Sequence, residues 1–325
     1  MLFLPKLSIM SRNIKFLVNR SEITAGTRGA SLGPEAVMTA ARKEGSLLFG
    51  QYDKVFLKDR NDLLDQPIKF PYAKRIEGLV EVFEEVSSKV CDVIKEGGFP
   101  LVMAGDHGSA GGTIAGVKKA YQNKRLGVVW IDAHGDLHTP YTTPSGNMHG
   151  MPLATALAED NTPCKKNEIS EHEQALWEQL KNTGVDGPKV APEDLVFVAV
   201  RDTEEQEDAL MERLNIKNHS VHDVRSEGVE HILSEIKDQL SECDVIYVSF
   251  DVDSMDPEYT SHGTGTPVEE GLTPAEASLL LRGLAKIDKT ACIEFVEVNP
   301  CLDEKTNRMA EATYEILEDV LNELK

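Results

Sequence analysis

Residues 126–150, LGVVWIDAHGDLHTPYTTPSGNMHG, constrain this chain more than any other stretch. The apolar run from Leu126 to Ile131 predicts a buried strand. Asp132, His134 and Asp136 follow at alternate positions, and an extended chain turns every second side chain to the same side. Two carboxylates and an imidazole should therefore converge where a strand leaves a sheet. Crowded carboxylates repel, and one must hold a proton unless a cation sits between them, so a bound metal is the economical expectation. The rival, a solvated acidic turn, has to explain why a second cluster of the same kind follows.

That second cluster is SFDVDSMDP, with Asp251 and Asp253 directly after the apolar run DVIYVSF (244–250). One such pair after a strand is a weak signal, since turns favour Asp. Together with DAHGD it is a strong one. A third segment, Gly105-Asp106-His107-Gly108, closes another apolar run; its glycines permit a sharp turn that carries His107 to the rim, with Asp106 expected behind it, orienting a ligand. Asp132, Asp136, Asp251, Asp253, His107 and His134 make six candidate ligands, too many for one metal with open positions. Mixed carboxylate and imidazole donors favour two ions of the manganese type over a thiolate-bound zinc. Asp256, just before Pro257, reads as a turn former. GDHGSAGG has neither G-x-G-x-x-G spacing nor G-K-[ST], which argues against a phosphate loop.

The rest of the chain alternates apolar runs with helical patterns. Strands are expected at 14–18, 55–59, within FPLVMAG after Gly98, at 126–131, 195–200, 217–222, 244–250 and 292–298. Helices are expected from about Pro34, over 76–96, 151–159, 170–182, after Asp202, over 227–240, from Thr273-Pro274 with Thr as N-cap, and over 304–325. The polar stretch 160–193 reads as an insertion or long excursion. No repeat or domain boundary interrupts the pattern. The expectation is one three-layer α/β/α domain over 1–325 with a mainly parallel sheet of about eight strands. Ligands in such sheets sit beyond the carboxyl ends of the strands, which is where these chemical residues fall.

Composition narrows the class of partner. A 41% hydrophobic share with 27% charged residues suits a packed globular chain. The net charge of -21 argues against nucleic acid or an anionic membrane and favours a small cation. Cys91, Cys164, Cys243, Cys292 and Cys301 are odd in number with no C-x-x-C pair, as for free thiols in a cytoplasmic protein. The opening MLFLPKLSIM is broken by Pro5 and Lys6 and reads as no signal peptide, and no apolar run approaches a membrane span.

GDHG, DAHGD, SFDVDSMDP and the late EVNP, in this order, resemble the ureohydrolase family of arginases, agmatinases and formimidoylglutamases, and HTPYTTPSGNMHGMP looks most like arginase. The resemblance runs from about residue 19 to the end. It implies a two-manganese hydrolase that converts L-arginine to L-ornithine and urea through a metal-bridging hydroxide. It also implies a homo-oligomer, trimer or hexamer, and Co²⁺ or Ni²⁺ could use the same ligands. On this resemblance His107, Asp132, Asp136 and Asp251 hold one ion. Asp132, His134, Asp251 and Asp253 hold the other, with Asp132 and Asp251 bridging. Asp136 would also orient the attacking oxygen, Glu297 would pair with the guanidinium, and His149 would shuttle the proton, with His138 its rival. Ser145 and the segment Asp202 to Glu204 would read the amino-acid end, and Thr266 would line the pocket.

Two residues depart from the arginase pattern, His138 where Asn is usual and Glu204 where Asp is usual. Both lie on the side that selects the α-amino and α-carboxylate groups. They leave the hydrolytic chemistry in place and keep agmatinase, guanidinobutyrase and formimidoylglutamase as alternatives. A two-metal phosphoesterase is a more distant rival, disfavoured by the absence of a late G-H-x-H. A non-enzymatic scaffold is disfavoured by the full set of six ligands.

Overall fold

A computed structural model describes residues 12–304 and 307–325; the segment MLFLPKLSIM, read above as no signal peptide, lies outside them. Eight strands form one sheet: β1 (Asn13–Asn19), β2 (Asp53–Phe56), β3 (Gly98–Ala104), β4 (Leu126–Ile131), β5 (Leu195–Val198), β6 (Lys217–His219), β7 (Val245–Asp251) and β8 (Thr290–Val296). Their order is β2-β1-β3-β8-β7-β4-β5-β6, and every pairing is parallel. The mainly parallel sheet expected from sequence is thus parallel throughout the described residues.

Helices α1 (Gly33–Lys43), α2 (Ile76–Lys95), α3 (Ala110–Ala120), α4 (Pro152–Leu157), α5 (Glu171–Lys181), α6 (Glu205–Leu214), α7 (Val221–Glu227), α8 (Val229–Gln239), α9 (Pro274–Ala285) and α10 (Arg308–Leu324) cover both faces. Val129, Val248 and Phe250 pack with α1, α7, α8, α9 and α10. Val128, Trp130 and Tyr247 face the other way, toward α2, α3, α4, α5 and α6. Period-two alternation thus feeds two cores, so these strands read as unbroken apolar runs.

The structure corrects several boundaries. The second strand begins at Asp53, upstream of the expected 55–59. The strand expected over 217–222 stops at His219, because Ser220 accepts a hydrogen bond from the Asp223 N–H at 3.1 Å and caps α7. The helix expected over 227–240 is α8; Gly228, with a φ of +90°, separates it from α7, which was not expected. The last helix begins at Arg308. Residues 160–193 contain α5, and Asp160 ties this segment down by accepting from Trp177 Nε1 at 2.8 Å and Lys181 Nζ at 2.7 Å. No helix among the described residues is long and apolar enough to cross a membrane.

Candidate metal centre and active site

The carboxyl ends of β3, β4 and β7 converge on one cavity of about 260 Å³. Each end departs from its strand in a particular way. After β3, Gly105 lets the chain pass so close to the Ser21 carbonyl that a Cβ there would sit 2.4 Å from it. His107 then starts a single 3-10 turn before α3. After β4 the chain bends, and Asp136 adopts a left-handed φ of +51°. Asp132, His134 and Asp136 do converge, but through this bend and not through the pleat alternation expected of an extended chain. After β7, residues Val252–Ser254 form one 3-10 turn that brings Asp253 beside Asp251.

All six expected ligands meet around two points. His107 Nδ1 lies 3.0 Å from Asp132 Oδ2, 3.2 Å from Asp136 Oδ2 and 3.0 Å from Asp251 Oδ2. His134 Nδ1 lies 3.4 Å from Asp132 Oδ1 and 3.1 Å from Asp253 Oδ2. Asp132 therefore shows one oxygen to each point. Asp251 turns its other oxygen to the Asp253 N–H at 2.9 Å. Neighbouring groups fix the orientations: Trp130 Nε1–H donates to Asp132 Oδ2 at 2.9 Å, the His134 N–H to Asp132 Oδ1 at 2.8 Å, and Thr266 Oγ1 to Asp253 Oδ2 at 3.0 Å. The His107 ring stacks on Trp130 with centroids 4.1 Å apart, and its Nε2 is 2.7 Å from Ser249 Oγ.

The electrostatics are those of a cation site. Burial, followed by the charge of neighbouring carboxylates, pushes the carboxyls of Asp136 and Asp251 well above their ordinary range. Asp253 is pushed up by the same causes, against the opposing pull of His134. Burial works the same way on Asp132, but the facing imidazoles of His107 and His134 outweigh it and hold that carboxyl low. Burial would lower both imidazoles, yet the facing carboxylates raise them far above their usual value. His107 Nδ1 and Asp136 Oδ2 are buried without a hydrogen-bond partner. Four crowded carboxylates, two imidazoles and these orphaned atoms fit two divalent cations, and the oxygen and nitrogen donors suit manganese better than a thiolate-seeking ion.

The cavity wall carries the other candidates. His149, Ser145, Asp202, Glu204, His138 and Thr266 all line it. Asp202 Oδ2 is 3.7 Å from His134 Nε2. His149 Nδ1 is 3.8 Å from Glu297 Oε1; burial lowers its pKa, but Glu297 more than compensates and raises it. His138 behaves oppositely. Burial lowers its pKa, its Nδ1 is 3.1 Å from Thr142 Oγ1, and its Nε2 lies 3.5 Å from Glu204 and 3.6 Å from Glu207 without a hydrogen bond. Glu297 sits behind the cavity lining, with a φ of +67° and with Oε1 accepting the His107 N–H at 2.8 Å.

Two findings differ from the sequence reading. Asp106 does not orient a candidate ligand. Its Oδ2 accepts the Thr24 N–H at 2.8 Å, and burial with nearby Glu297 pushes its carboxyl up to about 7. Glu207 and Thr143 line the cavity and were not anticipated. Glu207 accepts the Leu137 N–H at 3.0 Å and the Glu204 N–H at 3.1 Å, and burial raises it to about 6. In TEEQED nothing local separates Glu207 from its neighbours; only the turn of α6 carries it inward. Asp256 does form a turn, accepting the Glu258 N–H at 2.8 Å.

The arginase family model matches residues 16–322. The arginase of Bacillus subtilis (strain 168) is 34% identical over 315 residues, covering 96% of this chain and 98% of that one. Human arginase-1 is 33% identical over 276 residues, covering 83% and 81%. The native crystal structure of Bacillus caldovelox arginase superposes with a TM-score of 0.80 at 33% identity, covering 96% of this chain and 98% of that one. With this fold, this donor cluster and this likeness over nearly its whole length, the chain belongs to the arginase family.

Proposed function

We propose that this protein is an arginase, a hydrolase that cleaves the guanidinium C–N bond of L-arginine to give L-ornithine and urea. The observation that carries the reading is six donors, five buried and His134 half-buried, grouped around two points that share Asp132. His107, Asp132, Asp136 and Asp251 would hold one manganese ion, and Asp132, His134, Asp251 and Asp253 the other; Co²⁺ or Ni²⁺ could use the same donors. When bound, such a pair supplies the acidity that makes water a nucleophile near neutral pH.

The chain's own residues do the rest. Asp136 would accept a hydrogen bond from the attacking oxygen and orient its lone pair. Glu297 keeps one oxygen on the His107 N–H and offers the other to the cationic guanidinium, which fixes the carbon for attack. His149, whose pKa Glu297 raises against burial, gives its proton to the departing amino group. His138, kept neutral by burial, is the weaker candidate for that step and is assigned to the amino-acid end with Ser145, Asp202, Glu204 and Glu207. Thr266 steadies Asp253. Residues 1–325 are read as one domain with 160–193 as an excursion of it, working in the cytoplasm as a trimer or hexamer.

The test is urea release by the manganese-loaded protein from arginine, agmatine, guanidinobutyrate and, as formamide release, formimidoylglutamate, with a chromogenic phosphate ester alongside. Arginine should be turned over with the highest kcat/KM. A higher value for a substrate lacking the α-carboxylate would move the assignment to that enzyme and place the cause at His138 and Glu204. Phosphate release, or inertness with both ions bound, would end it.

A further inference from the structure

Beneath the metal centre, a row of side chains crosses three neighbouring strands on the face covered by α2 and α3. Trp130 on β4 is in register with Ser249 on β7, and Ser249 with Glu294 on β8. Tyr247, two residues before Ser249, shares that face. The row makes one continuous string of polar contacts in an otherwise apolar layer. His107 Nε2 is 2.7 Å from Ser249 Oγ. Tyr247 lies two residues from Ser249 on this face, close enough for the Ser249 hydroxyl to act on the phenol. Tyr247 O–H donates to Glu294 Oε2 at 2.6 Å.

Packing alone does not explain Glu294. It is fully buried, no Lys or Arg pairs with it among the described residues, and its Oε1 lacks a hydrogen-bond partner. Its neighbours in alternate register, Cys292 and Val296, are apolar and buried. An apolar residue would be less costly there unless the carboxylate has another task.

We propose that Tyr247 and Glu294 are positioning residues, which act through Ser249 to keep the His107 proton on Nε2 and the Nδ1 lone pair directed at the metal. The inference rests on His107 being a ligand. Its physical content is the polarity of the string. The phenol gives its one proton to Glu294 and can only accept on its other side. The phenol oxygen is then left to accept from Ser249, and the Ser249 oxygen to accept from Nε2–H. Without that order the opposite tautomer competes, because Asp132, Asp136 and Asp251 all draw a proton toward Nδ1. A proton on Nδ1 blocks the ligand atom. Partners of this kind typically change metal affinity by about 10–100-fold.

The experiment is a manganese titration of the full-length chain followed by electron paramagnetic resonance and calorimetry, with urea unfolding in chelator as the folding control. His107→Ala marks which ion depends on this imidazole. Tyr247→Phe and Glu294→Leu should each weaken that ion by about 10-fold or more and leave the other nearly unchanged. Glu294→Gln, which keeps an acceptor oxygen for Tyr247, should restore most of the loss. The Tyr247→Phe/Glu294→Leu double variant should bind no worse than the poorer single, since both cut one path. Tyr247→Phe removes a single oxygen, so it decides the matter if Glu294→Leu does not fold. Wild-type affinities in a folded Tyr247→Phe variant, or equal weakening of both ions, would overturn the inference. Failure of the wild type to take up an ion pair would instead remove the reading of the site itself.

Discussion

The two ends of β4 hold buried charge in opposite conditions. At the amino end, Asp194, just before β5, receives Arg125 Nε–H at 2.7 Å and Nη2–H at 2.9 Å, a bidentate pair that leaves the carboxylate answered. At the carboxyl end, Asp132 belongs to four carboxylates that face two imidazoles and no Lys or Arg ion pair among the described residues. One strand thus separates a charge that is balanced within the fold from a cluster that the fold leaves unbalanced. Balanced buried charge serves stability. Unbalanced buried charge is tolerated only when something from outside completes it, which makes the imbalance itself the mark of the functional end.

The comparison is broken most directly by neutralising one residue at each end. Asp251→Asn should lower kcat by at least about 10³-fold, the scale expected when a group that stabilises transition-state charge is lost. In chelator its urea midpoint should not fall, because the substitution relieves repulsion among Asp132, Asp251 and Asp253. A midpoint that dropped while kcat held would reverse the assignment of the two ends. Manganese sharpens the contrast next. At about 100 times its dissociation constant it should stabilise the wild type by about 2.7 kcal/mol in urea unfolding, and Asp194→Asn should keep that gain. Asp251→Asn should lose most of it.

Asp194→Asn should itself lower stability by about 1.5–3 kcal/mol, the range for hydrogen bonds to a charged group, with kcat/KM unchanged within error. A loss of activity without a loss of stability would show that the amino end is not the structural one. The smallest effect concerns Lys189, beside Asp194 on the same side, which burial lowers to about 8 and whose ammonium donates to the Gly187 carbonyl at 2.8 Å. Its folded pKa lies below its unfolded value, so the unfolded chain holds more protons between about pH 8 and 10.5 and stability rises with pH across that window. Subtracting the pH profile of a Lys189→Met variant from that of the wild type should isolate the rise. A flat difference would mean that this lysine stays solvated.

What could be read without coordinates is uneven for a physical reason. The parallel sheet followed from apolar runs at regular spacing, and the six donors followed from short patterns set directly after those runs. Both are local signals, carried within a few residues of one strand. β6 was read too long and α7 was missed because Ser220 caps and Gly228 breaks in a region where the apolar pattern continues across both. Asp106 was misplaced because its partner, the Thr24 N–H, comes from a distant loop. Glu207 escaped notice because its neighbours in sequence are acidic as well.

The sequence by itself determined that three strand ends would bear metal-type donors and that the chain would build one layered sheet, since alternation and apolar runs are written residue by residue. Only the tertiary structure decided which donors share a point, that Glu297 binds a backbone N–H, that His138 faces two glutamates, and that Tyr247 and Glu294 stand behind His107. Those relations depend on strand order and register. Parallel crossovers bring together residues from tens to more than a hundred positions apart, and no local pattern records that closeness.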